Sequence, residues 1–223
     1  MKRVISFLSA FLLCFFTFSY NISAENKPTE DTGNKKIALT FDDGPHPRYT
    51  PQILDILAEY GIKATFFEVG ENVIYYSEVA KRVASEGHEI GNHTYTHPHI
   101  KNLNEEQLSE ETRRCESAIK EVTGVKPKLF RPPEGVVDTA VKAWAGKNGY
   151  SVVLWSVDTR DWAGTSVDEM VKNVDSNVHS GSIILMHDYV SRRSHTIEAL
   201  KKIIPLLIDK GYEFVTVSEL MGK

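Results

Sequence analysis

Cysteine is almost missing from this sequence. Among its 223 residues only Cys14 and Cys115 carry a thiol, and Cys14 lies in an N-terminal apolar stretch that we expect to be removed. One remaining cysteine can form neither a disulfide framework nor a cysteine-ligated zinc site. Because Cys115 falls within a helical pattern, we interpret it as a packing residue. Stability must therefore come from a hydrophobic core, which a chain of about 190 residues is long enough to form.

Tracts of basic residues and long apolar runs are missing as well. The formal net charge is −4 and lysine and arginine form no cluster, which argues against nucleic acid as a partner. The most apolar stretch, VISFLSAFLLCFFTF at positions 4–18, is shorter than the ~20 residues that a membrane-spanning helix needs. We also find no internal repeat and no low-complexity segment. The simplest interpretation is an ordinary folded domain.

The N-terminus has the three parts of a secretory signal peptide. A basic MKR precedes the apolar run, and SYNISA then ends in small or polar residues, which predicts cleavage near Ala24 (signal peptide 1–24). An uncleaved membrane anchor is the alternative. Residues 25–35, ENKPTEDTGNK, predict a flexible linker. Residues 36–223 remain for one domain, which we expect to be a monomer that is secreted and either released or associated with a cell wall.

From residue 36 onward two hydrophobic patterns alternate. Short β-branched, mostly apolar segments predict strands, and apolar residues at i, i+3 and i+4 predict helices. The predicted strands are 36–41, 63–70, 87–94, 127–133, 150–157, 181–188 and 212–220. The predicted helices are 50–60, 75–85, 104–123, 138–148, 166–178 and 195–210. This alternation predicts an α/β fold with a mostly parallel sheet, either open and doubly wound or closed into a barrel.

Unusual polar residues follow the carboxyl ends of these predicted strands. In parallel α/β folds, functional sites form outside the carboxyl ends of the strands, so separate segments should meet at one mouth. In chain order the residues at these ends are Asp42, Asp43, His93, His97, Arg131, Asp158, Asp161, His187 and Asp188.

The stretch NHTYTHP contains two histidines spaced four apart. On a helical turn His93 and His97 would share one face, within reach of a single metal ion. Taken alone, the pair is more simply explained as two surface histidines. The glutamate of an HExxH motif is missing, which excludes that zinc-protease pattern. A carboxylate from another strand would complete a two-histidine, one-carboxylate set with an open position, as in catalytic zinc sites.

The two adjacent acids of TFDDGP could have different roles at one site. If one of Asp42 and Asp43 binds the metal, the other can act as general base beside it. The backbone at a strand end can turn both carboxylates towards the mouth. A turn-initiating aspartate before Gly-Pro would explain one acid but scarcely two.

Three further residues have both a functional and an ordinary explanation. His187 ends the buried-strand pattern SIILMH, where a histidine is usually a satisfied core residue, but with Asp161 nearby it could donate a proton to a leaving group. Arg131 could pair with a carboxylate of the site or form a surface ion pair of little worth. Trp162 could form a pocket wall or simply pack its own loop.

Five short motifs occur in a fixed order along the chain: TFDDGP, HTYTHP, RPPEG, DTRDW and ILMHD. Together they resemble the motifs of the polysaccharide deacetylases that share the NodB-homology domain (carbohydrate esterase family 4), over residues 36 to about 220. The resemblance implies a distorted (β/α) barrel, often seven-stranded. It also implies a divalent metal, usually zinc and sometimes cobalt.

Position by position, the resemblance implies roles for the residues of the first three motifs. Asp43, His93 and His97 match the metal ligands of the family. Asp42 matches the catalytic base, and Arg131 matches the residue that pairs with it.

The later motifs imply a catalytic acid and a pocket. His187 matches the acid and Asp161 its tuning partner, while Trp162 and Leu185 match the walls of the acetyl pocket. Glu134 departs from the family, which usually has an aromatic residue there and uses the backbone N–H to hold the oxyanion. Because a backbone donor survives a change of side chain, we expect activity to persist and the preferred glycan to change.

The implied activity is metal-dependent hydrolysis of N-acetyl groups on an N-acetylglucosamine-containing glycan, which releases acetate. Peptidoglycan is the first choice of substrate because the protein is exported, has one domain and carries a bacterial-looking signal peptide. Chitin oligomers are the second choice. The alternatives are an O-acetyl esterase acting on xylan and a non-catalytic glycan-binding protein of the cell wall.

Overall fold

The structure is a computed structural model that describes residues 35–189 and 194–222. The predicted signal peptide and residues 25–34 of the predicted linker lie outside the described residues. Lys35, the last residue of that linker, begins the first strand. No helix in the described part of the chain is both long and apolar enough to cross a membrane.

Strands and helices alternate along the described chain. The strands are β1 (Lys35–Asp42), β2 (Thr65–Glu68), β3 (Glu89–Asn92), β4 (Leu129–Phe130), β5 (Ser151–Val152), β6 (Val157–Asp158), β7 (Ile183–His187) and β8 (Tyr212–Phe214). The helices are α1 (Tyr49–Glu59), α2 (Gly70–Tyr75), α3 (Ser77–Ser85), α4 (Glu105–Thr123), α5 (Thr139–Lys147), α6 (Val167–Asn177), α7 (Thr196–Asp209) and α8 (Val217–Leu220).

All strand pairs of the sheet are parallel. The strand order is β5-β4-β3-β2-β1-β7-β6, and β8 pairs with the first residues of β1. The two ends of this path, β5 and β6, are the halves of the segment predicted as one strand over 150–157, so the sheet curls until both ends meet in the same stretch of chain. The predicted distorted (β/α) barrel is confirmed, and the open doubly wound alternative is not.

Three predicted elements differ from the structure. The strand predicted over 150–157 is interrupted, because the carbonyl oxygens of Val153 and Leu154 accept hydrogen bonds from the buried Arg131 side chain (3.3 and 3.2 Å) and not from a neighbouring strand. The strand predicted over 212–220 gives way to α8, which Thr216 begins with a capping box. The helix predicted over 75–85 starts at Ser77, and the unpredicted α2 precedes it.

Alternation along β1 decides which side chains enter the barrel. Ile37, Leu39 and Phe41 pack in the core between sheet and helices, whereas Ala38 packs with the inner cluster. Since side chains of a strand alternate between its faces, Asp42 points to the same inner side as Ala38. The strand therefore delivers one carboxylate to the carboxyl-terminal mouth of the barrel.

Two carboxyl groups are buried on the helix side of the sheet without a cationic partner among the described residues. Both carboxylate oxygens of Glu68 and one of Asp188 lack any hydrogen bond, while the other Asp188 oxygen accepts the hydroxyl of Thr50 at 2.5 Å. Burial raises the pKa of Glu68 well above its usual value, and the charge of Asp188 adds to the rise. Burial therefore favours the protonated form of the Glu68 carboxyl in the folded protein.

Glu68→Gln should remove a pH-dependent loss of stability. Glu68 binds a proton when folded and loses it when unfolded, so stability is lost as pH rises above the unfolded pKa of about 4.3. We expect the Tm of the wild type to fall relative to that of the variant between pH 5 and pH 8. Each 1 kcal/mol would appear as roughly 2–4 °C for a domain of this size. Exposed Glu59→Gln is the control, and a Tm difference that is constant with pH would contradict the prediction.

Candidate active site

The carboxyl ends of the strands open into a cavity of about 510 Å³. Arg131 and Asp161 are buried behind it, in contact with Asp42 and His187 respectively. The structure thus brings together the residues to which the five motifs assign roles. Asp188, which we expected at the same mouth, is instead buried on the helix side of the sheet, where it bonds to Thr50. The cavity is lined by Asp42, Asp43, His93, His97, Glu134, Trp155, Asp158, Trp162, Leu185 and His187.

Three of these side chains converge closely enough to hold one metal ion. Asp43 Oδ1 lies 3.3 Å from His93 Nε2 and 3.2 Å from His97 Nε2. The three ligand atoms all lie within 4.8 Å of one another. Two imidazoles and one carboxylate suit a divalent cation such as zinc, and three protein ligands leave a coordination position open for a substrate.

The backbone at Asp43 explains how two adjacent acids reach the same mouth. Asp43 has a φ of 76°, in the left-handed region that few non-glycine residues adopt. Its carbonyl oxygen accepts a hydrogen bond from Asn72 Nδ2 at 2.8 Å, which holds this turn. Burial alone would raise the pKa of Asp43, but its contacts with the imidazoles of His93 and His97 outweigh burial and hold the pKa well below its usual value. The carboxylate is therefore ionised.

The histidine-bearing segment is an irregular loop, and not the helical turn on which the two histidines would have shared one face. Thr94 and His97 both adopt left-handed backbone, with φ of 69° and 54°. Glu111 of α4 accepts hydrogen bonds from two consecutive backbone N–H groups of the loop, at 3.0 and 2.8 Å. The first N–H of α2 donates to the carbonyl of Thr94 at 3.0 Å. Contacts from two helices thus aim both imidazoles.

A hydrogen bond to the backbone fixes the tautomer of His93. Its Nδ1 donates to the carbonyl oxygen of Arg131 at 2.6 Å. Nε2, which points at Asp43, is then free to offer a lone pair to a metal. The same backbone carbonyl thus links the second and third motifs.

One carboxylate oxygen of Asp42 accepts a hydrogen bond, and the other accepts none from the described residues. Arg131 donates from an η-nitrogen to Asp42 Oδ1 at 2.6 Å, and the same nitrogen reaches the Thr40 hydroxyl at 2.9 Å. Asp42 Oδ2 faces the metal ligands, 3.8 Å from His93 Nε2. Because Arg131 is fully buried, its charge needs this carboxylate. One carboxylate oxygen is thus available to accept a proton beside the metal ligands.

His187 reaches the same mouth from the end of β7. It is paired in register with Asp42 across β7 and β1. Its Nδ1 donates to Asp161 Oδ1 at 2.8 Å, and Asp161 Oδ2 accepts both the His187 backbone N–H (2.8 Å) and the Thr196 hydroxyl (2.7 Å). Burial lowers the pKa of His187, but the hydrogen bond and charge of Asp161 outweigh it and raise the pKa to about 9. The imidazole is therefore protonated at neutral pH.

The family model described as polysaccharide deacetylase matches residues 29–153 of the chain. The chain belongs to the polysaccharide deacetylase family.

Relatives of known name agree with this assignment. A peptidoglycan-N-acetylglucosamine deacetylase of Bacillus cereus is 47% identical over 193 residues, which are 84% of this chain and 88% of that protein. A chitooligosaccharide deacetylase of a Bradyrhizobium species is 35% identical over 201 residues, 85% of this chain and 92% of that protein. The crystal structure of the Bc1960 peptidoglycan N-acetylglucosamine deacetylase superposes with a TM-score of 0.81 at 41% identity, covering 84% and 88% of the two chains.

Family members depend on a divalent metal, and this deacetylase has the donor set for one. Beside that set, Leu185 is buried and Trp162 is 54% exposed, so the cavity has an inner apolar wall and an outer aromatic one. Trp155 is a further wall that the sequence analysis missed. It lies within the strand predicted over 150–157, where an aromatic residue is an ordinary strand former.

Glu134 lies at the rim of the deacetylase cavity in left-handed backbone with a φ of 59°. Its carboxylate accepts a hydrogen bond from His99 Nδ1 at 2.7 Å, and both side chains are substantially exposed. Gly135 follows, where an added Cβ would lie 2.6 Å from the ring of Trp155. Nothing in the sequence pointed to His99 or to Thr196 behind Asp161, because both act through contacts distant along the chain.

Proposed function

We propose that this deacetylase removes N-acetyl groups from N-acetylglucosamine residues of peptidoglycan. The observation that carries the proposal is the presence of a carboxylate with an available oxygen, Asp42, and a protonated imidazole, His187, in the cavity that also holds the metal-ligand triad. Amide hydrolysis needs a base to activate water and an acid to protonate the amine as it leaves. The site offers both at once.

Asp43, His93 and His97 are the proposed ligands of a divalent cation, for which we propose zinc, with cobalt also suited. Such a cation would polarise the amide carbonyl and acidify a water molecule. His93 can bind through Nε2 because its Nδ1 already donates to the backbone. The ionised state of Asp43 supplies the negative charge of the set.

Asp42 accepts a proton from the attacking water in the proposed reaction. Arg131 holds the Asp42 carboxylate in position through the 2.6 Å hydrogen bond. Glu134 supplies the first backbone N–H after Pro132 and Pro133, and we assign it to the oxyanion that forms from the amide carbonyl.

The acid side of the site completes the reaction. His187 gives its proton to the nitrogen of the departing amine, and Asp161 stabilises the imidazolium before transfer. Trp162 and Leu185 enclose the methyl of the acetyl group and exclude water from it. Acetate and a free amino sugar leave.

Peptidoglycan is favoured over other glycans because relatives named for that substrate are similar to this chain, and chitin oligomers are the second choice for the same reason. The same site could hydrolyse an O-acetyl ester on xylan, since an ester is cleaved more easily than an amide. A non-catalytic role in glycan binding is opposed by the complete base, acid and triad.

Mass spectrometry of muropeptides tests the proposal directly. Treatment of peptidoglycan with the purified protein and zinc should produce muropeptides that lack one acetyl group, with an equivalent amount of acetate. Chelation should abolish the release of acetate, and zinc or cobalt should restore it. Unchanged muropeptides together with acetate release from chitin oligomers or acetylated xylan would redirect the substrate assignment. The absence of release from all three would overturn the function.

Export and oligomeric state complete the proposal. We propose that residues 1–24 are cleaved and that the protein is a secreted monomer. A mature N-terminus at Glu25 in culture supernatant would support this, whereas an intact N-terminus in the membrane fraction would favour the anchor.

Glu134→Gln should favour anionic glycans. Peptidoglycan carries lactyl and peptide carboxylates, which the exposed carboxylate of Glu134 repels at the cavity rim. Exposed charge pairs contribute about 0.2–1 kcal/mol, so we expect kcat/KM on peptidoglycan to rise roughly 1.5–5-fold. Neutral chitin oligomers provide the control, and an equal rise on both substrates would contradict a charge effect.

A further inference from the structure

A group of aromatic side chains near the active-site mouth is left without a role by the proposed reaction. His46 is its centre, and we name the group the His46 rim. Ring centroids lie 4.7 Å from His46 to Tyr49, 4.8 Å to Tyr189 in an edge-to-face arrangement, and 6.5 Å to Tyr76. The four residues come from the loop after β1, the start of α1, the segment after β7 and the residue that follows α2.

Chain connectivity places the His46 rim beside the catalytic residues. His46 is three residues beyond Asp43, and Tyr189 is two beyond His187. At no more than about 3.6 Å per residue, their Cα atoms lie within roughly 11 Å and 7 Å of those residues. None of the rim residues lines the 510 Å³ cavity. The rim is therefore a separate surface that adjoins the catalytic mouth.

Hydrogen bonds hold the centre of the rim in one orientation. His46 Nδ1 accepts the backbone N–H groups of Arg48 and Tyr49, at 3.0 and 3.2 Å. The backbone N–H of His46 donates to Thr50 Oγ1 at 2.7 Å, and the Thr50 hydroxyl in turn reaches Asp188 at 2.5 Å. The loop after β1 is thus tied to the end of β7. A neutral His46 then carries its hydrogen on Nε2.

The rim is polar at its edges and open to solvent. Tyr189 is 41% exposed, and His46, Tyr49 and Tyr76 are half-buried. Within residues 35–189 and 194–222, the hydroxyls of the three tyrosines make no hydrogen bond to another protein group. Rigid aromatic faces with free hydroxyls at their edges can contact the apolar C–H face of a sugar ring and bond to its hydroxyls.

We propose that the His46 rim is an outer subsite that binds a pyranose ring of the glycan strand, away from the sugar that is being deacetylated. The proposal rests on the proposed function, because continuity with the catalytic mouth makes the same glycan strand the occupant. A longer strand would fill both the cavity and the rim, while a disaccharide has only one sugar besides the one in the cavity and would contact the rim less fully. The subsite would thus make the enzyme prefer long glycans.

Kinetics on N-acetylglucosamine oligomers of two lengths test the subsite. We expect the wild type to have a higher kcat/KM on the pentamer than on the dimer. Tyr189→Ala should lower that ratio by about 2–10-fold, as expected for the loss of one aromatic contact. Tyr189→Phe, which keeps the ring, should retain most of the ratio. A ratio that Tyr189→Ala leaves unchanged would overturn the proposal.

A binding measurement separates the subsite from the proposed reaction. Calorimetric titration of zinc-loaded Asp42→Asn protein with the pentamer needs no turnover, so it remains informative even if the wild type deacetylates no oligomer. Adding Tyr189→Ala to this protein should weaken pentamer binding by a similar 2–10-fold factor. The Tm of each protein shows whether the substitution leaves the fold intact. Equal affinity of the two folded proteins would refute the outer subsite.

Discussion

Asp42→Asn is expected to lower kcat for acetate release by roughly 10²–10⁴-fold while the metal stays bound. An amide cannot accept the proton that the attacking water gives up. In the wild type Arg131 donates a hydrogen bond of 2.6 Å to Asp42. The asparagine oxygen can still accept this hydrogen bond, so the side chain should keep its position. Because Asp42 is outside the triad of metal ligands, metal affinity should change little.

The same aspartate-to-asparagine change at Asp43 provides a matched control, because it should affect metal binding and not proton transfer. Asp43→Asn removes the charged ligand of the triad and should lose the metal, with activity recovering partly at high zinc concentration. Metal content measured by mass spectrometry on both purified variants separates the two roles. Near-normal kcat in Asp42→Asn, or loss of its metal, would refute the assignment of the base.

His187→Ala is expected to lower kcat by a similar factor of about 10²–10⁴, because the amine then leaves without a proton. The pH profile identifies the cause. His187 is active when protonated, so wild-type activity should fall as pH rises through its pKa. Asp42 and Asp43 help to raise that pKa to about 9, and a bound cation offsets their charge, so the fall should lie at or below pH 9. The variant should lack this fall.

Asp161→Asn tests the same assignment through a residue that only positions the acid. Removing its charge lowers the pKa of His187, so the alkaline fall in kcat/KM should move to lower pH. A general loss of structure would reduce activity at all pH values without moving the profile. An alkaline fall that is unchanged in Asp161→Asn would show that another group supplies the proton.

The order of strands and helices was predictable from the sequence because it depends on the local spacing of hydrophobic residues. Where the prediction was wrong, a contact distant along the chain usually decided the structure. The loop holding His97 depends on Glu111, and the break between β5 and β6 depends on the guanidinium of Arg131. The exception is α8, whose capping residues Thr216 and Glu219 were visible in the sequence but were read as part of a strand.

The site was predictable as a set of residues rather than as a geometry. Spacing and motif order grouped Asp43 with His93, yet the left-handed backbone of Asp43 could not be read from residue types. Trp155 was missed because it lies where the predicted strand breaks. Its position depends on close approach to Gly135, twenty residues earlier in the chain.

Arg131 has a consequence for how such a protein could lose its activity. Its guanidinium bonds the catalytic carboxylate and also the carbonyls of Val153 and Leu154, where the two ends of the sheet come together. Replacing Arg131 would remove the hydrogen bonds that join the two ends of the sheet, and it would also remove the partner of Asp42. Loss of this arginine would therefore affect the fold as well as the chemistry, whereas a substitution at Asp42 or His187 could abolish the activity and leave these hydrogen bonds to Val153 and Leu154 in place.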